Sequence, residues 1–402
     1  MKFGSKEKKK IVLISAILFN LGLLGYFKYF NFFANNVNAL FGSTLIPIKN
    51  IILPIGISFY TFQIMSYIID LYRGDIKVQK NILNLALYIS FFPQLIAGPI
   101  VKYHDIDKQL QKRVITVEKF ATGVKRFVYG LSKKVILSNS LAYIADTIFN
   151  ASMSSINMPI AWFGAICYTL QIYFDFSGYS DMAIGLGKMF GFEFVENFNL
   201  PYISQSITEF WRRWHISLST WFKEYLYIPL GGNRKGIIRT YINLIIVFLA
   251  TGIWHGADWN FIAWGLYNGF FVVIERIKLK ELLDKNKFKI LNHIYSLLVV
   301  IVGWVIFRTE DLNYLKVMFI SNNSECYFDL TQIINAKNIT IIIIAILFSG
   351  IIQVLFNKLK NKEEILDFYE KYLEIFVIFV LMFICIMMLA SSTYNPFIYF
   401  RF

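Results

Sequence analysis

Residues 11–33, IVLISAILFNLGLLGYFKYFNFF, follow a lysine-rich start, MKFGSKEKKK. A run of about 20 apolar residues is long enough to cross a bilayer as an α-helix. This run is too long for the core of a signal peptide, and no small-residue cleavage site follows it. The stretch therefore predicts an uncleaved membrane anchor with a cytoplasmic N-terminus.

The composition of the whole chain agrees with this beginning. Of the 402 residues, 56% are hydrophobic, 18% are aromatic and only 16% are charged, and the mean hydropathy is +0.53. Soluble proteins have about 25% charged residues, because their surface needs polar cover. These numbers exclude a soluble globular, disordered or collagen-like chain and a small disulfide scaffold. They predict an all-α polytopic membrane protein.

Further apolar segments of spanning length recur along the chain. They cover roughly 51–71, 82–101, 135–150, 159–177, 238–254, 258–275, 290–307, 338–356 and 373–391. The lysine- and arginine-dense stretches between them are 102–134, 205–239, 276–289 and 357–371. The positive-inside rule predicts that all four face the cytoplasm and that the C-terminus lies outside.

The segment 82–101 does not fit this alternation as a full span. Pro93 and the pair Gly98-Pro99 interrupt it, and proline removes a backbone donor from a helix. Broken helices survive in a bilayer where protein or a wet cavity satisfies their backbone. We therefore expect residues 91–99 to form a re-entrant element that lines a cavity. No internal repeat or soluble domain is evident, so residues 1–402 are expected to form a single integral membrane domain.

The charge and the cysteines exclude other classes of function. The net charge is +14, but the basic residues lie between apolar runs, so they indicate membrane orientation and not nucleic-acid binding. The three cysteines show no CxxC or zinc spacing. We expect no metal site and no bound cofactor.

Two of the four histidines lie in unusual sequences. His215 is within EFWRRWHISLSTWF (209–222), which as one helix would carry its tryptophans on one arc. The alternative is an interfacial helix with a tryptophan belt and snorkelling arginines. The glycine-rich basic turn LGGNRKG (230–236) follows, and its free backbone donors could meet an anion.

His255 is within TGIWHGADWN (251–260), at the end of one apolar run and the start of the next. A histidine inside a membrane is a functional-site hypothesis by default, and imidazole titrates near neutrality. Gly252 and Gly256 flank it and allow close backbone approach or a helix break. The alternative is a histidine that serves helix packing.

Acidic residues also occur near apolar segments. Asp70 precedes Arg73 by one helical turn, which predicts a local ion pair. Asp175 and Asp181 could line a polar tunnel or belong to a structural hydrogen-bond network.

Together these segments resemble the membrane-bound O-acyltransferase (MBOAT) superfamily, in particular its bacterial alginate O-acetylation branch. The resemblance covers essentially the whole chain. It is specific because all the matching motifs occur together in one sequence. The matching stretches are FWRRWHISLS (210–219) with GGNRKG (231–236), WHGA (254–257) with Trp264-Gly265, GISFYTFQ (56–63), PQLIAGP (93–99), FDFSGYSD (174–181) and the ending FIYFRF (397–402).

The resemblance implies a multi-helix bundle with re-entrant elements around a membrane-traversing tunnel. His255 corresponds to the family's tunnel histidine and His215 to a second motif histidine, so both are expected to be catalytic. Family members usually have further hydrophobic segments before the anchor. This sequence starts at a lysine cluster instead, which suggests a truncated or misassigned start, or a shorter variant.

The resemblance also implies a cytoplasmic acyl donor, and we expect acetyl-CoA in this role. We expect the tunnel mouth to seat its phosphates through Arg212, Arg213, Arg234 and Lys235, because arginine's fork of donors suits phosphate. Asp175 is a further candidate for donor binding. Trp211, Trp214 and Trp254 are expected to wall the tunnel and keep water from the thioester. His255 would act as general base or carry the acetyl group covalently.

The branch works in bacterial inner membranes with an extracytoplasmic SGNH-type acetyltransferase that takes the acetyl group onward. The resemblance therefore implies O-acetylation of a cell-surface polysaccharide, alginate-like or peptidoglycan. One alternative is D-alanyl transfer to teichoic acid from a carrier protein, in the same superfamily. Another, of a different class, is a non-catalytic transporter, since re-entrant elements and buried acids suit transporters.

Overall fold

All regular structure in the described part of the chain is helical, as predicted. The computed structural model describes residues 6–95, 98–309, 311, 313–320, 328–359 and 361–391. Within them, five helices are long and apolar enough to cross a membrane: Glu7–Phe41, Ile237–His255, Lys289–Arg308, Ala336–Phe356 and Lys362–Ser391. The chain is an all-α polytopic membrane protein.

The N-terminal helix is longer than the predicted anchor. Helices α1 (Lys6–Leu24) and α2 (Phe30–Phe41) are joined without interruption by a π-helical segment, Gly25–Tyr29. Helix α3 (Ile57–Arg73) packs against α1. Residues 51–56, predicted to be part of this span, are not helical, because Gly56 in a left-handed conformation (φ +77°) starts the helix there.

The segment 82–101 is broken, as its prolines and glycine predict. It forms α4 (Ile82–Ser90) and one turn, α5 (Phe92–Leu95), with Phe91 in an extended conformation between them. Ile96 and Ala97 of the PQLIAGP motif lie outside the described residues. Helix α6 (Tyr103–Gln111) follows.

Two long helices form the centre of the fold. Helix α7 (Val117–Ser132) continues through a π-helical segment, Lys133–Ser138, into α8 (Asn139–Phe149), and packs against α9 (Met158–Met189). A Cβ at Gly130 would lie 2.6 Å from the carbonyl oxygen of Gly178, so glycine is needed where the backbones meet.

This continuous helix corrects the predicted boundary between a basic loop (102–134) and a span (135–150). The basic side chains do not end the helix, because α9 provides acids for them. Arg126 lies 2.6 Å and Lys133 2.5 Å from the Asp181 carboxylate. The second half of the predicted cytoplasmic stretch is therefore part of the helical core.

The predicted single helix over 209–222 is wrong. It is two short helices, α10 (Ile207–Arg213) and α11 (Ile216–Phe222), followed by a π-helical segment, Lys223–Tyr227. The break falls at His215, which has φ +43°, a left-handed conformation that is costly for a residue other than glycine. The periodicity of its tryptophans did not reveal this backbone conformation.

The C-terminal half of the described chain consists of further helices, and those over 237–255, 259–274, 289–308, 336–356 and 374–391 match the predicted spans. They are α12 (Ile237–His255), α13 (Trp259–Ile274), α14 (Lys280–Lys285), α15 (Lys289–Arg308), α16 (Asn313–Ile320), α17 (Ala336–Ile346), α18 (Ile352–Phe356), α19 (Lys362–Phe368) and α20 (Glu374–Ser391). The largest apolar core lies between α9, α13 and α15. The FIYFRF ending lies outside the described residues.

Candidate active site

His215 is held by a buried asparagine. Its Nδ1 lies 3.1 Å from the Asn197 Oδ1, which also accepts hydrogen bonds from the Ser217 backbone (3.2 Å) and hydroxyl (2.8 Å). An amide oxygen accepts, so Nδ1 of His215 carries the proton and Nε2 has the free lone pair. Nε2 is buried and has no partner among the described residues. The ring is 1% exposed, which favours the neutral imidazole.

His255 ends α12 and lies in an aromatic enclosure. Its ring is edge-on to Trp264 and to Phe307, each with centroids 5.2 Å apart. Its Nδ1 is buried and has no hydrogen-bond partner among the described residues. Nδ1 of His255 is thus available to a substrate, as is Nε2 of His215.

Trp254 connects the two histidines. Its ring centroid lies 6.3 Å from that of His215 and 4.9 Å from that of His255. Phe62 of α3 stacks on it at 5.3 Å and on Trp221 at 3.8 Å. The two histidines therefore approach one indole from different elements.

A continuous set of tryptophans extends from the histidines into the protein. Trp264 contacts Trp211 (5.5 Å) and Trp304 (6.0 Å), and Trp304 contacts Trp214 (4.7 Å). The indole N–H of Trp211 is buried without a partner among the described residues. The predicted wall residues Trp211, Trp214 and Trp254 are thus brought together with both histidines.

Close backbone contacts fix the end of α12 that carries His255. A Cβ at Gly256 would overlap the ring of Phe261, and one at Gly252 would overlap the Phe261 carbonyl oxygen. From the N-terminal helix, Lys28 Nζ donates to the carbonyl oxygens of Trp254 and His255, both at 2.8 Å. Close backbone approach is confirmed at Gly252, whereas Gly256 ends α12 and meets a side-chain ring.

The basic residues predicted to bind the donor lie elsewhere. Arg212 is exposed, whereas Arg213 Nε donates to Glu209 (2.9 Å) and Nη1 to the Asn199 carbonyl (3.1 Å). Arg234 and Lys235 are exposed on the glycine-rich turn. None of the four contacts the histidine rings in the described structure.

The backbone of that turn is less open than its sequence suggests. The N–H groups of Gly231 and Gly232 donate to the carbonyls of Ile228 and Tyr227 just before the turn, and that of Arg234 donates to Gly231. Asn243 Nδ2 donates to the Gly232 carbonyl at 2.9 Å and ties the turn to α12. Only part of its backbone donors can serve a ligand.

Asp175 faces the helix over 117–149. It forms a buried ion pair with Lys134, and the Ser138 hydroxyl donates to it at 3.3 Å. Its neighbour Phe176, by contrast, contacts His215 with centroids 4.6 Å apart. The structure places Asp175 in the α7–α9 contact and not beside the histidines.

A polar cavity of about 660 Å³ lies near the end of α3, lined by Asp70, Arg73, Asp75, His104, Glu224, Ile228 and Pro229. The Tyr225 hydroxyl donates to Asp70 at 2.7 Å, and His104 Nδ1 lies 3.3 Å from the same carboxylate. Arg73 lies 3.9 Å from the Asp70 carboxylate, so the predicted ion pair is part of a larger cluster around Asp70. Hydrogen bonds to Asp105 and then Asp70 raise the pKa of His104 to about 10.

Sequence reasoning missed Asn197, Lys28, Trp304 and Phe307 as neighbours of the histidines. Lys28 gave a usable signal, since a lone lysine in an apolar run must find a partner. Asn197 lies between short segments with no periodicity and gave none. Among the described residues, no group of three or more His, Cys, Asp or Glu could hold a metal ion.

Comparison with known proteins identifies the family. The model of the MBOAT, membrane-bound O-acyltransferase family, matches residues 76–315, which hold both histidines. The probable alginate O-acetylase AlgI of Azotobacter vinelandii is 52% identical over 75% of this chain and 60% of its own length. That of Pseudomonas putida is 42% identical over 97% of this chain and 84% of its own length.

More distant relatives act on other polymers by name. The peptidoglycan O-acetyltransferase of Helicobacter pylori is 39% identical over 77% of this chain and 64% of its own length. The chain spans about three fifths of the length of several relatives it matches. On the family match and these identities, the chain belongs to the membrane-bound O-acyltransferase family.

Proposed function

We propose that this protein is an O-acetyltransferase that passes acetyl groups from a cytoplasmic thioester to an acceptor on the outer side of the membrane. The observation that carries this proposal is the pair of histidines around Trp254, each with a buried ring nitrogen that has no partner in the described structure. Paired bases in an aromatic, water-poor enclosure suit acyl transfer from a water-sensitive thioester.

His255 is the general base of the proposed reaction. It takes the proton of the acceptor hydroxyl as that oxygen attacks the thioester carbonyl. The C–S bond then breaks, and the imidazolium returns the proton to the leaving thiolate. Base catalysis of this kind contributes about 10²–10⁴-fold in rate.

The position of His255 suits the acceptor side. Helix α12 follows the basic turn that is expected to face the cytoplasm, and its 19 residues extend about 28 Å at 1.5 Å per residue. We therefore expect α12 to carry His255 away from the cytoplasmic face, toward the acceptor.

His215 is proposed to act on the donor. Asn197 binds Nδ1 and fixes the tautomer of the ring, so the Nε2 lone pair is directed away from Asn197. A fixed neutral imidazole can orient the thiol end of the donor or accept its proton. Trp211, Trp214 and Trp254 exclude water around it.

The donor is proposed to be acetyl-CoA. Exposed Arg212, Arg234 and Lys235 would attract its phosphates at the cytoplasmic mouth, with Arg213 supporting α10 through Glu209. Asp175, paired with Lys134, would support this face through the α7–α9 contact. The protein's place is a bacterial inner membrane.

The acceptor chain is proposed to continue outside the membrane. An SGNH-type acetyltransferase would take the acetyl group onward to a cell-surface polysaccharide. The names of the relatives support this class of acceptor, since they include alginate O-acetylases and a peptidoglycan O-acetyltransferase.

The test is an assay in inverted membrane vesicles that contain the protein. Labelled acetyl-CoA is supplied to the exposed cytoplasmic face, and label is followed on extracytoplasmic protein or polymer. Wild type should transfer label, and His255→Ala, present at equal folded amount, should lose at least about 100-fold in rate. Equal transfer by both proteins would falsify the assignment of His255.

A second candidate is D-alanyl transfer from a carrier protein. It is favoured by 32% identity to the teichoic acid D-alanyltransferase of Bacillus subtilis over 55% of this chain. Label that passes from a charged carrier but not from acetyl-CoA in the same vesicles would select this function.

A further inference from the structure

The N-terminal helix contacts the far end of α12 through one charged residue. Lys28 Nζ donates to the carbonyl oxygens of Trp254 and His255, both at 2.8 Å, and the neighbouring Tyr29 hydroxyl donates to the carbonyl of Ile253. The last three carbonyls of α12 are thus all satisfied by this one helix.

This arrangement has a clear physical basis. The final carbonyls of an α-helix have no partner within the helix and carry a partial negative charge. A lysine ammonium has three donors and stabilises such an end. In a bilayer the alternative for Lys28 is an unpaired charge, which is strongly unfavourable.

The local backbone favours the same role. Lys28 lies in the π-helical segment Gly25–Tyr29, and π-helical turns within α-helices occur frequently at functional sites. Lys28 is also the single charged residue between Ile11 and Phe33, in a helix that is otherwise mostly exposed and apolar. Its placement is specific to the end of α12.

We propose that Lys28 is a positioning residue for His255: by binding the last two carbonyls of α12, it fixes the helix end from which the imidazole enters the aromatic enclosure. This inference depends on the proposed function of His255 as the base. Trp264 and Phe307 confine the ring from two sides, and Lys28 fixes the backbone from a third.

The consequence is an effect on the chemical step and not on donor binding. Displacement of a catalytic group by about 1 Å can cost about 10²-fold in rate. Lys28→Met keeps the length of the side chain and removes its donors and charge. It should lower kcat about 10–100-fold with little change in KM for the donor. Lys28→Arg, which keeps donors and charge, should recover most of kcat.

The experiment combines these variants with a double-mutant cycle. Wild type, Lys28→Met, Lys28→Arg, His255→Gln and the double variant Lys28→Met/His255→Gln are compared in vesicles with acetyl-CoA, per folded protein. Lys10→Met is the matched control, because it removes an exposed lysine of the same helix. Since Lys28 acts through His255, Lys28→Met should have no further effect in the His255→Gln background.

The outcomes separate this inference from the proposed function. If His255→Gln retains activity, the base assignment itself is wrong. If His255→Gln is impaired and Lys28→Met is as active as Lys10→Met, only the role of Lys28 is wrong. The role is also refuted if Lys28→Met lowers activity equally in both backgrounds, because that result would mean a general loss of structure.

Discussion

At the scale of single residues, the histidines are held by contacts of different kinds. His215 occupies a left-handed backbone conformation, and Asn197 binds both its ring and the first residues of α11. His255 is held by its helix end and by rings. Strained backbone persists where its surroundings over-determine it, and such positions cluster at functional sites. The conformation of His215 is thus a reason to assign it a role independent of its motif.

His104 gives a prediction for the dependence of stability on pH. Hydrogen bonds to Asp105 and Asp70 raise its pKa from the ordinary 6.5 to about 10. The protonated ring therefore stabilises the folded protein fully below pH 6.5. This contribution is lost as the pH rises through about 10. We expect the melting temperature of wild type to fall more steeply between pH 8 and 10.5 than that of His104→Gln.

The measurement is thermal unfolding in detergent over that pH range, with the variant as the reference. Comparison with the variant removes the general effects of lysine and tyrosine deprotonation. The side chain is 41% exposed, so the difference will be modest. If the melting temperatures of the two proteins change in parallel with pH, protonation of the His104 ring does not contribute to folding stability.

At the scale of elements, the sequence predicts helices well where length and apolarity decide them. The runs 238–254 and 290–307 match α12 and α15 to within two residues at either end. Prediction fails where a distant partner decides. The helix over 117–149 continues through its basic residues because Asp175 and Asp181 of α9 receive them. A single-chain pattern does not contain this pairing.

The candidate site divides in the same way. The histidines stood out by their unusual settings, the tryptophan wall was implied by the family resemblance, and the structure brings both together. The helix break at His215 and the role of Asn197 were not predicted. A left-handed residue and a hydrogen bond between residues 18 positions apart leave no periodic pattern in the sequence. The basic donor-binding residues remain predictions, since they contact neither ring.

The contact of α7 with α9 gives a prediction about Asp175. Lys134→Met would leave its carboxylate buried without its ion-pair partner, at a cost of about 3–5 kcal/mol. We expect a large loss of folded protein in detergent. Replacement of both partners, Lys134→Met/Asp175→Leu, should recover much of it. The measurement is the folded fraction by size exclusion together with thermal stability.

A more exposed ion pair made by a lysine of the same helix provides the control. Lys119 and Glu193 are 3.2 Å apart with half-exposed side chains, so Lys119→Met should change stability by less than about 1 kcal/mol. A Lys134→Met protein as stable as wild type would contradict the structural role of the pair. A folded but inactive double variant would instead assign Asp175 to the reaction.

At the scale of the whole molecule, two helices give consistent predictions for the depth of His255 in the membrane. Lys28 lies 22 residues after Lys6, about 33 Å along a helix that starts at the lysine-rich N-terminus. His255 ends a helix that starts beside the basic turn. Lys28 binds the end of α12 directly, so we expect both helices to begin on the same side, which the positive-inside rule predicts to be the cytoplasm.

This orientation can be tested by the accessibility of single cysteines. Cys167 and Cys385 are buried, so Cys326→Ser provides a background with little labelling. Exposed Asn233, on the basic turn, and exposed Ser154, between α8 and α9, are replaced by cysteine one at a time. In intact cells, a membrane-impermeant maleimide should label Ser154→Cys and not Asn233→Cys. In inverted vesicles the pattern should reverse.

The result bears directly on the direction of transfer. If Asn233→Cys is protected in intact cells, α12 carries His255 away from the cytoplasm, and an acceptor outside the membrane can reach it. If Asn233→Cys is labelled from outside and Ser154→Cys is not, His255 faces the cytoplasmic side. The donor side and the acceptor side of the membrane would then be reversed. That result would refute outward acetyl transfer with His255 as the base on the acceptor side.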